Sequence, residues 1–155
     1  MNVLRVKFTD IPLSKEIDWM HGFLFQNEWG WGKFIIKKHP KIKKVFSFKT
    51  EAEQVKFLKD YVVEFRRKNQ KLIEENKIKY QKEWQKIEKD FLILLSEIIQ
   101  IDWPKNRLVI KAMISVNPIC PRFLSDWSFS IFYNYKKNVS RNGSYYARML
   151  SFFVF

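Results

Sequence analysis

Residues with the types and spacing to do chemistry are concentrated between Trp29 and Lys44. Lys33, Lys37, Lys38, Lys41, Lys43 and Lys44 sit there beside Trp29, Trp31 and Phe34. Ammonium groups neutralise phosphates and aromatic rings stack on bases, so the mixture suits single-stranded nucleic acid or another polyanion. A plainer reading fits the same residues. The lysines are interleaved with Phe34, Ile35, Ile36, Ile42, Val45 and Phe46, as in an edge strand or ribbon protected by charge. No RNP-type, helix-turn-helix or zinc-finger pattern accompanies them.

Elsewhere the sequence is poor in catalytic groupings. It has no Gly-rich phosphate loop, no metal-ligand cluster and no Ser/His/Asp set. His21 lies among aromatics and reads as a packed or surface residue, and His39, inside KKHPKIKK, reads as solvated. The carboxylates mostly have lysines nearby, such as Glu83 with Lys86 and Glu88 with Lys89, which describes a solvated helix surface. A single cysteine, Cys120, excludes an internal disulfide and fits a reducing compartment.

The formal charge of +13, from 29 basic and 16 acidic residues, predicts attraction to nucleic acid or acidic membrane surfaces. A chain rich in Lys, Ile, Phe and Asn is also what AT-rich coding produces, with lysine as a default solvated residue. No signal peptide is visible, as Met1-Asn-Val-Leu-Arg lacks a basic start followed by an apolar core, and no apolar run approaches the roughly 18 residues that span a bilayer. A cytoplasmic protein is expected.

The elements that must position these residues predict an α+β fold in a single domain, 1–155. Strands are expected at about 2–9, 34–37, 107–116 and 128–135. The first has Leu4, Val6 and Phe8 on one face, and the third has Leu108, Ile110, Ala112, Ile114 and Val116. Phe129, Ile131, Tyr133 and Tyr135 share a side of the fourth. Residues 13–32 read as a short amphipathic piece followed by a loop.

Between the strands, Thr50 and Glu53 form a capping box that opens a helix or helical hairpin over about 50–101. Its stripe runs through Val55, Leu58, Val62, Phe65, Leu72, Tyr80, Trp84, Ile87, Phe91, Leu94 and Ile98 at spacings of mostly three and four. Asn69 and Asn76 interrupt the stripe and mark either a solvated stretch of one helix or a bend between two. FLILLSEIIQI is apolar nearly all round and is expected to be buried.

The segment ISVNPICPRFLSDWSFSIFYNY, within about Trp103–Tyr135, resembles a set of bacterial zincin-like proteins. In these a PR-x-L-x-x-W-S-F-S-type stretch shortly precedes an H-E-x-x-H helix. The resemblance implies a strand leading into a metal helix, whose histidines bind zinc while the glutamate activates water. It also implies that Asn117, Arg122 and Trp127 line a cleft; as structural residues they read instead as a turn polar group, a surface charge and a core aromatic. H-E-x-x-H itself is absent from this sequence.

The tail, 136–155, has no clean period and ends on Phe152-Phe153-Val154-Phe155. Written in A/T-favouring codons and shifted by one base, the codons for Ala147 to Phe155 read His-Glu-Cys-Phe-His-Phe-Leu-Phe. The expectation is a frameshift near Lys137 to Ser140 that replaced a zinc helix and truncated the chain. Two function classes follow. One is a catalytically inactive relative of zinc peptidases, without zinc or any other cofactor in the chain as written. The other is a small basic binding module that contacts nucleic acid or another polyanion through Lys33 to Lys44.

Overall fold

The computed structural model describes residues 5–26, 30–100, 109–120, 122–124 and 127–134, and all structural statements concern these. Its elements are β1 (Arg5–Asp10), α1 (Leu13–Phe25), α2 (Trp31–Lys38), a 3-10 helix (Pro40–Ser47), α3 (Glu51–Gln85), α4 (Glu88–Ile99), β2 (Val109–Ser115), β3 (Arg122–Leu124) and β4 (Ser128–Phe132). The strands form one sheet in the order β1-β2-β4-β3. β1, β2 and β4 run parallel, with Val6 beside Ile110 and Ala112 beside Phe129, and β3 closes one edge antiparallel to β4. The fold is α+β.

Alternation is visible in β1, where Val6 and Phe8 are buried and Arg5 and Lys7 exposed. In β2 it fades after Lys111, because Ala112 to Ser115 are all buried. Parallel strands covered on both faces lose the polar side that a half-exposed strand keeps. Ile110, Ala112, Ile114, Phe129 and Ile131 join the main core, whereas Met113 packs with Ile11, Leu124 and Trp19 in a second, smaller cluster.

The outer edge of β1 is capped by helix side chains. Phe8 N–H donates to Gln81 Oε1 at 3.1 Å, and Gln81 Nε2 donates to the Val6 carbonyl at 3.2 Å. Val6 N–H donates to Glu88 Oε1 at 2.6 Å, and Trp84 Nε1 donates to the same oxygen at 2.7 Å. A primary amide thus supplies the donor and acceptor a neighbouring strand would have supplied, which blunts an edge open to pairing. Glu88 is therefore no part of a solvated lysine-paired surface.

α3 starts as its sequence dictates. The Thr50 side chain accepts from Glu53 N–H, and Glu53 Oε2 accepts from Thr50 N–H at 3.1 Å. Asn69 and Asn76 do not bend it. Asn69 Nδ2 donates to the Phe65 carbonyl at 2.9 Å, and Asn76 Nδ2 reaches the Tyr133 carbonyl at 2.8 Å, tying α3 to the end of β4. The interruption comes instead at Lys86–Ile87, from which Glu88 reaches back to β1.

Three expectations are corrected. Residues 34–37 are helical, not a strand. The buried positions through this stretch are Gly32, Ile35, His39, Ile42 and Val45, at spacings of three and four rather than two. The span 13–32 holds a full 13-residue helix, α1, before the described chain resumes at Gly30. α4 is not enclosed: Leu92 is buried, but Ile93, Leu94 and Ile98 are exposed, Ile98 at 77%. One side of α4 meets the core, through Leu92 and the contact between the Trp84 and Phe91 rings, and its hydrophobicity exceeds what one side can bury. Tyr135 and the tail 136–155, the proposed frameshift included, lie outside the described residues, as do residues 2–4 and 101–108.

Candidate polyanion interface

α2 and the 3-10 helix form a basic face because their apolar positions all turn one way. Gly32, Ile35, Ile42 and Val45 point inward and are buried. Lys33, Lys37, Lys38, Lys41, Lys43 and Lys44 are left outside, each exposed. No carboxylate occurs between Trp29 and Thr50 in the sequence. Among the described residues none of the six lysines takes part in an ion pair. Their charge is therefore directed at solvent.

His39 joins the two helices and is itself buried, contrary to its sequence reading. Its Nε2 lies 2.8 Å from the Val116 carbonyl and its Nδ1 lies 2.9 Å from Tyr61 Oη. A carbonyl only accepts, so Nε2 carries the proton in the neutral ring and Tyr61 donates to Nδ1. The Phe65 ring meets the imidazole edge-on at 4.8 Å. Burial pushes the His39 pKa down, opposed by the Val116 carbonyl and reinforced by neighbouring Lys38. The histidine anchors the basic segment to the sheet and to α3.

Trp31 is 41% exposed and Phe34 57%, with ring centroids 6.1 Å apart. Across from them lies the loop that follows β2. Trp31, Phe34, Lys37 and Lys38 on one side and Pro118, Ile119 and Cys120 on the other line a cavity of about 440 Å³. Trp29 lies outside the described residues.

The loop is held by a buried carboxylate. Glu16, on α1, is wholly inaccessible to solvent. Its Oε1 accepts from Ser115 Oγ at 2.6 Å, Val116 N–H at 2.6 Å and Asn117 N–H at 3.3 Å. Its Oε2 pairs with the Arg66 guanidinium, which also donates to the Ile11 carbonyl at 3.0 Å. Asn117 Oδ1 in turn accepts from Ile119 N–H at 3.0 Å, while its Nδ2 is buried with no hydrogen-bond partner among the described residues. Cys120 Sγ lies 3.2 Å from the Asn117 carbonyl, and burial pushes its thiol up to about 12. It is a neutral wall, not a thiolate nucleophile.

Sequence reading missed Glu16, Arg66 and Ser115 because it assigned carboxylates to the surface. A signal was present: Glu16 shares the buried face of α1 with Ile17, Met20 and Leu24, and a charge inside an apolar stripe requires a partner. The three residues implied as cleft-lining have separate surroundings. Asn117 is buried in the loop, and the Arg122 guanidinium lies over Trp19 and Phe23 at 5.1 and 4.6 Å. Trp127 is half-buried against the core with φ of 56°, an uncommon value for a bulky residue. None of the three lines the basic cavity or the second one, of about 270 Å³, beside Arg66, Arg67 and Gln70.

Among the described residues no three His, Cys, Asp or Glu side chains are grouped to hold a metal ion, and no helix is long and apolar enough to cross a membrane. Compared with known protein families, with curated proteins and with solved structures, the chain finds no match.

Proposed function

We propose that the chain is a binding module that holds single-stranded nucleic acid against α2 and the 3-10 helix. One observation carries this: six exposed lysines, without ion pairs among the described residues, lie on α2 and the 3-10 helix with two exposed aromatic rings, and Lys37 and Lys38 line a cavity with those rings. Phosphates gain from the lysines by releasing counterions, and unstacked bases gain from the rings. The aromatic component favours a single strand over a featureless polyanion. Exposed Trp31 and Phe34 beside lysines would also suit an anionic lipid surface, so vesicles form the competing arm of the test.

The test is the anisotropy of a labelled oligothymidylate titrated with the full chain at low and moderate salt. If all six lysines contact phosphate, a slope of about −0.7 per contact weakens binding roughly 300-fold between about 50 and 200 mM salt. Lys37→Gln and Lys43→Gln are each expected to flatten that slope by somewhat under one. Absence of binding at the low-salt end, or binding to anionic vesicles alone, would overturn the reading.

We propose as a second reading the one that rests on the sequence resemblance of Trp103–Tyr135. Ser128–Phe132 is a strand, and Asn76 holds the Tyr133 carbonyl at its end. In this reading the chain is an inactive relative of zinc peptidases whose metal helix was displaced by a frameshift. Resequencing the gene through the codons for Tyr135 to Phe155 tests it. An open shifted frame encoding H-E-x-x-H supports it, and a frame without those codons removes it.

A further inference from the structure

We infer that the cavity between α2 and the Pro118–Cys120 loop is a pocket for one unstacked nucleotide of the bound strand, an inference that rests on the single-strand reading above. Trp31, Phe34 and Lys38 follow one another at steps of three and four, so they share one stripe of α2, with Lys37 beside it. The stripe is aromatic at its start and cationic at its end. Phe34 and Lys38 stand about one turn apart, roughly 6 Å along the axis. That is within the reach from a base to the phosphate of its own nucleotide.

The opposite wall has complementary chemistry. Pro118 and Ile119 are apolar, and the Cys120 thiol stays protonated, with its titration pushed up to about 12, so the wall adds no negative charge to repel a phosphate. The wall is also preorganised. Ile119 N–H is held by Asn117 Oδ1 at 3.0 Å, and Val116 N–H by the buried Glu16 carboxylate at 2.6 Å. At about 440 Å³ the cavity falls within the range of roughly 300–1,000 Å³ typical of small-ligand clefts. A base entering it stacks on Phe34 or Trp31 and meets Ile119 on its other side. Lys37 and Lys38 then neutralise its phosphate. Bases paired in a duplex are stacked on their neighbours and do not enter, so the pocket selects single strands, ends and bulges.

The pocket is tested by removing bases while keeping phosphates. The full-length protein is titrated with an oligothymidylate of about 12 nucleotides and with an abasic oligomer of equal phosphate number. One stacked base predicts that the abasic oligomer binds about 5- to 150-fold more weakly at the same salt. Phe34→Ala and Phe34→Leu are expected to weaken thymidylate binding at least about 5-fold and to leave abasic binding and both salt slopes unchanged. Lys43→Gln, outside the cavity, is expected to flatten both slopes equally. Phe34 is exposed, so both variants are expected to melt as the parent does; if the alanine variant does not, the leucine variant decides. Equal binding of the two oligomers, or a Phe34→Leu variant that discriminates between them as strongly as the parent, overturns the pocket while leaving the basic face standing. Failure of both oligomers to bind at low salt removes the basic face and the pocket together.

Discussion

Removing the Glu16 carboxylate tests whether the end of β2 and the loop after it are held by a buried ion. In Glu16→Ala, Val116 N–H and Ser115 Oγ lose acceptors at 2.6 Å, and Arg66 loses its anionic partner. Asn117 N–H is less affected, since Ser115 Oγ also lies 3.0 Å from it. Breaking one side of a buried pair costs about 3–5 kcal/mol. Here the low end applies, because the Arg66 side chain is 25% exposed and keeps the Ile11 carbonyl, so water takes up part of its charge. About 3 kcal/mol is a large share of the roughly 5–15 kcal/mol that holds a domain folded. With a urea m-value of about 2 kcal/mol/M, the midpoint moves down by about 1.5 M. Glu16→Gln keeps one acceptor for the main-chain donors but faces Arg66 with a neutral amide, and is expected to lose about half as much. The assay is urea unfolding followed by tryptophan fluorescence, with Arg66→Met completing a double-mutant cycle. A Glu16→Ala midpoint within about 0.5 M of the parent, corresponding to about 1 kcal/mol, would refute the reasoning.

His39 predicts a pH dependence of known sign. Its folded pKa lies below the ordinary 6.5, so on acidification the unfolded chain takes up the proton first; stability is full above the ordinary histidine range and declines as pH falls through it toward the folded value. The urea midpoint at pH 7.5 should exceed that at pH 5, and His39→Gln should reduce the difference; an undiminished difference would assign it to other groups. Gln81→Ala exposes the Val6 carbonyl and Phe8 N–H of β1 and is expected to promote self-association, read by light scattering; a variant that stays as dispersed as the parent would count against an edge-capping role. Thr50→Ala deletes the cap of α3 and is expected to cost about 1 kcal/mol in the same urea assay, with no effect on oligonucleotide binding.

Much of the scaffold was legible because it depends on local periodicity. The buried faces of β1, β2 and β4, the Thr50–Glu53 box and the α3 positions Leu58, Val62, Tyr80 and Trp84 follow from side chains a few positions apart, whereas Leu72 of the expected stripe is exposed and its neighbour Ile73 is buried instead. The lysines of the basic face were legible too, because exposed charge needs no partner. What tertiary structure decided lies where partners come from far along the chain. Lys33 to Phe46 scans as a ribbon, yet it coils because Ile35, Ile42 and Val45 must all reach one core.

His39 and Glu16 look solvated until Val116 arrives, 77 and 100 residues away. The wall facing Trp31 and Phe34 comes from the Pro118–Cys120 loop, more than 80 residues downstream. The sequence by itself therefore determined which residues are apolar, capped or charged. Only the packed chain decided which polar groups could be buried, because burying a charge or an imidazole is tolerable only beside a partner that folding supplies.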